Sequence, residues 1–493
     1  MKTRLLRLIS MGFAVASLSA AQSVPLTAQE EPHTQRLRYK LFDLGTFGGP
    51  ASFFNTQLDD LNSHGVSVGA SQTPVPDPPN SNGYPCGPGT FVYHAFESHN
   101  GVMTDLGALP GANKCSNAQT INELGEVAGN SENDEIDPFL GLYQIRAVVW
   151  KNRRIIDLGT LGGNESAAFT INNRGQVVGW ATNDIPDPYS FYGAGSQVRA
   201  FLWEKGMMRD LGTLGGPDSQ AIFLNDRGQV AGDSYINFTP NPDSGVPTSD
   251  PFLWENGKML DLGTLGGTSG QPNWLNRRGQ VAGTSNLAGD FTNHPFLWDR
   301  GVLIDLGTFG GSNGQALWVN DAGEVVGEAD LPGDQVHDAF LWKNGVMTDL
   351  GNLGQTSFGY AINSKSQVVG HSQTNDGDYH AFIWQKSGGM VDLNTLIPSN
   401  SSLVLRDAYN INDSGVIAGV GLPAGCDDSD TCGHAYVLTP CGGSGDMTDA
   451  APCPAESGVA EAPVTHSTAA KSASAQPHAR MRGPYSRLRL GSR

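Results

Sequence analysis

Residues 251–263 read PFLWENGKMLDLG, and this stretch decides the fold. Two apolar runs flank Asn256 and Gly257. Asn-Gly is the strongest short signal for a β-hairpin, because both central residues of a type I′ turn need positive φ. Upstream, two further apolar runs flank residues 226–228, which read DRG and again have a turn composition. The two hairpins together predict a unit of four antiparallel strands.

The same unit recurs eight times along the chain. Each copy has an Asp at the end of its last strand and an Asn at the end of its first strand, and we expect both side chains to cap tight turns. The Asp residues are Asp43, Asp105, Asp157, Asp210, Asp261, Asp305, Asp349 and Asp392, and the Asn residues are Asn62, Asn122, Asn172, Asn225, Asn276, Asn320, Asn363 and Asn412. Successive Asp residues are 62 positions apart at the start and 43 at the end. Periods of roughly 40–50 residues are typical of four-stranded propeller blades.

The strands are apolar on both sides, as in the run Ala-Phe-Leu-Trp, which indicates that both faces of each sheet are buried. A propeller meets this demand because every blade lies between two others. We therefore predict an all-β fold, an eight-bladed β-propeller of four-stranded antiparallel blades, with seven blades as the alternative. The strand that begins at Tyr39 precedes the first repeat, and the last repeat lacks an outer strand. Pairing of this N-terminal strand with the last blade would close the ring. The recurrent Trp of the third strand is expected in the core.

A recurrent three-residue motif adds a family resemblance. The chain reads HAF at 94–96 and 380–382, HAY at 434–436, and DLGTLGG at 261–267. In these motifs it resembles the HAF family of extracellular repeat proteins, over about residues 38–440. The resemblance implies an exported repeat protein, and it carries no established reaction or catalytic residues. Other copies replace the His, for example with Arg199, so we do not expect this His to be a shared catalytic group.

The two ends of the chain differ from the repeats in composition. Residues 1–21 combine basic residues, a short apolar stretch and small residues, which is typical of a secretory signal peptide. Residues 22–37 are predicted to be an N-terminal linker, 38–440 the repeat domain, and 441–493 a disordered Ala/Ser/Pro-rich tail with a basic end. No transmembrane segment is predicted, because no stretch offers about 18 uninterrupted apolar residues. We expect an exported protein, extracellular or periplasmic.

The six cysteines favour disulfide bonds, since an exported chain meets an oxidising environment. Proximity along the chain suggests the pairs Cys86–Cys115, Cys426–Cys432 and Cys441–Cys453, although six cysteines allow 15 connectivities. No metal site is predicted, because the chain has no paired Cys-x-x-Cys spacing with an accompanying set of histidines. The net charge of −19 would repel phosphates and argues against a nucleic-acid partner. We expect a monomer.

Length variation between repeats is concentrated in the connection from the second to the third strand, which is long in the first four repeats. Loops on one face of a rigid scaffold are where ligands usually bind. These loops carry aromatic and acidic side chains, a mixture that suits a glycan or peptide ligand. The candidate ligand-binding residues are Tyr84, Tyr143, Asp184, Asp187, Tyr189, Tyr192 and Tyr235. The alternative is that the aromatics pack the loops against the blades.

Three functions remain open at this stage. The first is an exported, non-catalytic binding module that uses these loops, and it is the one we favour. The second is a polysaccharide-acting propeller hydrolase or lyase, with paired carboxylates as acid and base. The third is a structural surface protein. No cofactor and no catalytic residue are predicted; the loop carboxylates offer Ca²⁺ a weak signal, because they do not match an EF-hand.

Overall fold

The structure covers most of the repeat region. The computed structural model describes residues 37–55, 58–78, 80–81, 91–242 and 245–441. The predicted signal peptide 1–21, the linker except residue 37, and the tail beyond residue 441 lie outside this part of the chain. Among the described helices, none combines the length and the apolar character that a membrane crossing requires.

Nearly all the regular secondary structure of the described residues is β-strand. The first strand is β1, Tyr39–Asp43. Sixteen further strands follow in four groups of four, which we number blades 1 to 4. In chain order they are β2 Ser52–Phe53, β3 Ser67–Pro76, β4 Phe91–His99, β5 Val102–Asp105; β6 Ser116–Ile121, β7 Val127–Ile136, β8 Tyr143–Lys151, β9 Arg154–Asp157; β10 Ser166–Ile171, β11 Val177–Pro186, β12 Ser196–Glu204, β13 Met207–Asp210; β14 Ser219–Leu224, β15 Val230–Pro240, β16 Pro247–Glu255 and β17 Lys258–Asp261.

Blades 5 to 8 contain the remaining strands, and β1 completes blade 8. In chain order they are β18 Gly266–Leu275, β19 Val281–Leu287, β20 Asn293–Asp299, β21 Val302–Asp305; β22 Gly314–Val319, β23 Val325–Asp330, β24 His337–Lys343, β25 Val346–Asp349; β26 Gly354–Ile362, β27 Val368–Thr374, β28 Tyr379–Gln385, β29 Gly389–Asp392; β30 Leu403–Ile411, β31 Ile417–Pro423 and β32 His434–Pro440. A short 3₁₀ helix, Leu393–Leu396, follows β29, and α1, Ser429–Cys432, precedes β32.

The hairpin turns follow from the sequence. In blade 4, Phe252 is opposite Asp261 and Glu255 is opposite Lys258, across a two-residue turn. The residues of that turn, at 256 and 257, have φ values of 52° and 82°. These are the positive values that a type I′ turn requires, so the Asn-Gly prediction is confirmed.

The ring closes through its termini. β1 pairs antiparallel with β32, with Tyr39 opposite Pro440 and Asp43 opposite Tyr436. The predicted propeller of four-stranded antiparallel blades, closed by its N-terminal strand, is confirmed. Blades 4 and 5 share a single parallel pair, Ser249 with Ser269, which joins them into one eight-stranded sheet. Counting continuous sheets therefore gives seven blades, and counting groups of four strands gives eight. Eight blades stays our prediction.

The strand-end asparagines connect the repeats. In each repeat the Asn Oδ1 accepts backbone N–H groups two and four residues later, as Asn276 does from Gln280 at 3.0 Å. The Nδ2 of Asn276 donates to the backbone carbonyl of Asn320 in the next repeat at 2.9 Å. Eight such bonds link successive repeats, and the last runs from Asn412 back to Asn62. The predicted turn capping is confirmed, and the same side chains also close a cycle through all eight repeats.

The core lies between the blades. Third-strand aromatic rings fill it, and the following are fully buried: Phe96, Phe201, Phe252, Phe296, Phe340, Phe382 and Tyr436. The recurrent Trp is buried at Trp150, Trp254, Trp298 and Trp342, and half-buried at Trp203 and Trp384. These rings cover both faces of the sheets, as the unbroken apolar runs predict.

One predicted disulfide bond lies within the described residues. Cys426 and Cys432 are bonded with a Cα–Cα distance of 5.8 Å. Cys115 and Cys441 are also in disulfide bonds. Their predicted partners Cys86 and Cys453 lie outside the described residues, so those two pairings stay predictions.

Candidate functional site

Blades 1 to 4 have longer second strands than blades 5 to 8. β3, β7 and β11 have 10 residues and β15 has 11, whereas β19, β23, β27 and β31 have 6 or 7. The long connections predicted from the sequence are therefore partly strand, because antiparallel pairing continues past the body of the blade. We call the surface formed by these four hairpins the extended-hairpin face. The strand order puts the links between blades on this face and the Asn cycle on the opposite one.

Of two predicted ligand-binding tyrosines in blades 1 and 2, the structure describes one, and its ring is already covered. Tyr84 lies outside the described residues. Tyr143, at the start of β8, has the ammonium of Lys114 at 3.0 Å from its ring centroid. The buried Lys114 also forms an ion pair with Asp134 at 3.0 Å. One face of the Tyr143 ring is thus occupied by a cation of the protein itself.

The aromatic residues of blades 3 and 4 pack against one another. Phe191 lies between Tyr192 and Tyr235, with ring centroids at 6.4 and 4.4 Å. Tyr192 also packs on Trp180 at 4.6 Å and donates its hydroxyl to the side chain of Gln220. Tyr235 is 4% exposed, so its role is to pack the hairpin. Among these predicted residues only Tyr189, which is 38% exposed, presents a large apolar surface.

A pair of acidic residues lies between blades 2 and 3. Asp137 follows β7 and is buried, and its Oδ1 accepts the backbone N–H groups of Phe139 and Leu140 at 2.7 Å. Glu165 precedes β10 and is 2% exposed. Its Oε2 accepts the N–H of Ile145 at 2.6 Å, whereas its Oε1 has no hydrogen-bond partner among the described residues.

The same arrangement recurs between blades 3 and 4. Asp187 follows β11 and is buried, and its Oδ1 accepts the N–H of Tyr189 at 2.9 Å. Asp218 precedes β14, and its Oδ1 accepts the N–H of Val198 at 2.9 Å. The Oδ2 of Asp187 has no partner in the described part of the chain. Each blade interface therefore combines an Asp from one hairpin with a buried carboxylate from the next inner strand.

Burial and mutual repulsion perturb both pairs. Burial raises the pKa of Glu165 to about 8, and the charge of Asp137 contributes to the rise. Burial raises the pKa of Asp218 to about 8, and the neighbouring carboxyl of Asp187 contributes. A related pair lies between blades 1 and 2, where burial and the charge of Glu132 raise the pKa of Asp77 to about 6.

A cleft of about 260 Å³ opens beside the first of these pairs, between blades 2 and 3. The predicted Asp184 is exposed on its wall, and the amides of Asn164 and Asn183 line it. The ring of Phe139 also lines it and is 69% exposed. Exposed large apolar residues recur along the neighbouring hairpins, at Ile136 (41%), Ile185 (50%) and Phe238 (63%). The cleft thus combines an aromatic face with carboxylate and amide groups.

The recurrent Asp of the fourth strand has a different partner in different blades. Its Oδ1 caps the following turn in every repeat, as in the bond from the N–H of Gly263 to Asp261 at 2.7 Å. Its carboxylate also meets the residue before the Ala-Phe motif, for example His380 with Asp392 at 2.7 Å. In blade 4 the residue at this position is Asp250, which faces Asp261. These repeated pairs are structural, so we assign them no chemistry.

We expect the contribution of the His380–Asp392 pair to stability to have a bell-shaped dependence on pH. The hydrogen bond with Asp392 raises the pKa of His380 above 6.5, so its contribution is complete below pH 6.5 and is lost as the pH rises through the raised pKa. Burial raises the pKa of Asp392, but hydrogen bonds from His380 and from the backbone of Asn394 outweigh it and lower the pKa below 3.8. That contribution is lost as the pH falls through the lowered pKa. We expect His380→Ala to lower the free energy of unfolding by about 1 kcal/mol at pH 5 and by less at pH 8, measured by urea denaturation.

The variant Asp250→Asn tests a pH dependence of stability with the opposite sign. Burial and the charge of Asp261 raise the pKa of Asp250 from 3.8 to about 6, so the wild-type protein loses stability as the pH rises through this range. The variant should not show that loss. If both variants keep the pH profile of the wild type, these pairs do not titrate as argued.

A group of three possible metal ligands lies on blade 6. Glu328, Asp330 and His337 bring one ligand atom each within 4.8 Å of one another. Asp330 already accepts two hydrogen bonds from Asn313, at 3.0 and 3.1 Å, and all three residues are only half-buried. Nothing in their surroundings points to a bound ion.

Glu165 and Asp218 are not among the residues predicted from the sequence, because those predictions concern the loops. Both residues stand directly before the first inner strand of a repeat, where Ser166 and Ser219 follow them. The signal that could have found them is an acidic residue at this shared position, one repeat after an Asp-Pro pair.

No family model matches the chain, and no curated protein matches it. Several solved propellers are similar in structure. The β-propeller domain of the Trilobed protease from Pyrococcus furiosus has a TM-score of 0.39 at 11% identity, over 70% of this chain and 96% of that chain. Porphyromonas gingivalis dipeptidyl peptidase 4 has a TM-score of 0.42 at 11% identity, over 68% of this chain and 54% of that chain. TolB from Acinetobacter baumannii has a TM-score of 0.31 at 11% identity, over 64% of this chain and 81% of that chain. These likenesses concern the fold alone, and the resemblance to the HAF family stays a prediction.

Proposed function

We propose that this chain is an exported, monomeric, non-catalytic binding module that holds a glycan in the cleft between blades 2 and 3. The observation that carries the proposal is the exposed ring of Phe139 beside the carboxylate of Asp184 and the amide of Asn164. An aromatic face packs against the C–H surface of a sugar ring, while carboxylate and amide groups bind its hydroxyls. The extended hairpins support this proposal because only blades 1 to 4, on one side of the face, have them.

Export is supported by two features of the chain. The composition of residues 1–21 is that of a signal peptide, and the disulfide bond Cys426–Cys432 suits an oxidising compartment. The HAF resemblance points the same way.

The test is a screen of the purified protein against a glycan array and a peptide library. We expect retention of glycans, and Phe139→Ala should weaken binding of the best ligand roughly 5- to 30-fold, the range of a lost aromatic contact. Asp184→Asn should also weaken it, because the hydroxyls lose a charged acceptor. Isothermal titration measures both effects.

Phe291→Ala is the matched control, because Phe291 is 91% exposed on the blade 5 hairpin and is not among the residues that line the cleft. It should bind as the wild type does. Folded protein that retains no glycan contradicts the proposal, and retention of peptides alone would replace its ligand class. Release of reducing sugar from a bound glycan would instead favour the hydrolase or lyase alternative.

A further inference from the structure

The two interblade acid pairs are built alike, although they come from different repeats. In each, the Asp stands before a Pro at the tip of a second strand, and its Oδ1 accepts the N–H of the second residue after it. In each, the opposing carboxylate accepts an N–H from the third strand of the preceding blade, Ile145 for Glu165 and Val198 for Asp218. The equivalent interface between blades 4 and 5 has Asn241 at the Asp position and lacks this pair of carboxylates.

Both pairs leave a buried carboxylate oxygen without a partner. Glu165 is 98% buried and Asp187 is 94% buried, since their exposed fractions are 2% and 6%. Glu165 Oε1 and Asp187 Oδ2 have no hydrogen-bond donor when all the carboxyls are ionised, within the described residues, and the carboxyls of Asp187 and Asp218 lie within hydrogen-bond reach of each other. An unsatisfied buried oxygen destabilises the fold, and more so when it is charged. The unpartnered oxygen belongs to the inner-strand residue Glu165 in the first pair and to the hairpin residue Asp187 in the second, where both oxygens of Asp218 accept backbone N–H groups. One such oxygen in each pair indicates a group that is absent from the protein chain itself.

Among the described residues, no cation forms an ion pair with the first pair of carboxylates. Arg146 is the positive charge that acts on Glu165, and its guanidinium is already in an ion pair with Asp157 at 3.2 Å. Oxygen ligands from carboxylates are what hard divalent cations prefer. Ca²⁺ accepts irregular geometry and several waters, whereas Mg²⁺ demands a near-ideal octahedron. An incomplete, partly hydrated site of two carboxylates therefore suits Ca²⁺ better.

We propose that the pairs Asp137/Glu165 and Asp187/Asp218 are two Ca²⁺ sites, each between adjacent blades. In the first, Glu165 Oε1 and the carboxylate of Asp137 provide oxygens. In the second, Asp187 Oδ2 and the carboxylate of Asp218 do so. Water completes the coordination. A bound cation replaces the repulsion within each pair by two attractions, and it ties blade 2 to blade 3 and blade 3 to blade 4 beneath the extended-hairpin face.

Calorimetric titration of CaCl₂ into the full chain, after treatment with EDTA and dialysis, tests this proposal. We expect Ca²⁺ binding, a higher thermal unfolding midpoint in Ca²⁺ than in EDTA, and weaker binding of Mg²⁺. Glu165→Gln and Asp187→Asn should each lose one equivalent of Ca²⁺ relative to the wild type, and the double variant should lose two. Both substitutions keep the shape of the side chain and a carbonyl oxygen for its backbone donor.

Two controls separate these sites from general acidity and from glycan binding. Asp376→Asn removes an exposed carboxylate from the blade 7 hairpin and should leave the number of bound Ca²⁺ ions unchanged. Phe139→Ala should also leave it unchanged while weakening glycan binding. If wild-type protein shows neither Ca²⁺ heat nor a shift in the unfolding midpoint, the proposal is overturned, and each pair shares a proton instead. A double variant that binds as many ions as the wild type overturns it equally.

Discussion

Replacing Asn276 with alanine should lower the free energy of unfolding by about 3–5 kcal/mol, because one buried side chain serves both its own turn and the next blade. Asn276 is 4% exposed. Its Oδ1 accepts the N–H groups of Arg278 and Gln280 at 2.9 and 3.0 Å, and its Nδ2 donates to the carbonyl of Asn320 at 2.9 Å. Alanine leaves the N–H groups of Arg278 and Gln280 without partners and removes one of the two donors to the Asn320 carbonyl, which keeps only the N–H of Gly323. Urea denaturation measures the loss.

Two further variants isolate the bond between the repeats. Asn276→Asp keeps an acceptor for the turn but replaces the amide donor by an oxygen facing the Asn320 carbonyl, so it should also destabilise the fold at neutral pH. Asn375→Ala removes an exposed Asn of the blade 7 hairpin and should change the free energy of unfolding by less than about 0.5 kcal/mol. A loss below about 1 kcal/mol for Asn276→Ala would show that the cycle contributes little to stability.

Replacing Gly179 with alanine should cost more than about 3 kcal/mol, because the added methyl group has no space. An ideal Cβ on Gly179 would lie 1.9 Å from the carbonyl oxygen of Ala167 and 2.9 Å from the Cα of Ala168. Those atoms belong to β10, which pairs with β11, with Ala168 directly opposite Gly179. Relief would require the inner strand to move away from its partner. The thermal unfolding midpoint and the yield of folded protein report the effect.

The chain offers a matched control and a repeat of the test. A Cβ on Gly388 has no atom within 4 Å, and its φ is not positive, so Gly388→Ala should be nearly neutral. Gly370 in blade 7 is as crowded as Gly179, with a carbonyl oxygen at 1.8 Å, so Gly370→Ala should behave like Gly179→Ala. An unchanged midpoint for both crowded variants would contradict the close approach of the first and second strands.

The fold could be predicted because its signals are local. The Asn256-Gly257 turn and the capping by Asn276 each depend on a few consecutive residues. Each of them repeats, so an error in one copy is corrected by the others. The closing role of the strand that begins at Tyr39 follows from the missing outer strand of the last repeat. What the repeats did not reveal is that the amide of Asn276 reaches the next blade, because that bond depends on the spacing between blades.

The candidate site was only partly predictable. The loop composition predicts Asp184 and Tyr189, which are exposed, and also Tyr235, which is buried under its own hairpin. A loop position does not reveal whether a side chain points to solvent or to the blade, because strands such as β15 continue far into the predicted loop. Glu165 was missed for the converse reason, since an inner-strand position next to a buried serine gives no sign of facing a cleft.

The sequence by itself determined the four-stranded unit and its eightfold recurrence, since turn chemistry and apolar runs act between near neighbours, and the missing outer strand of the last repeat indicated closure by the first strand. Only the tertiary structure decided which carboxylates meet. Asp137 and Glu165 belong to successive repeats, and they come together because blade 3 packs against blade 2 at a distance fixed by the aromatic rings between them. That distance depends on side-chain packing throughout the ring, which no single repeat encodes.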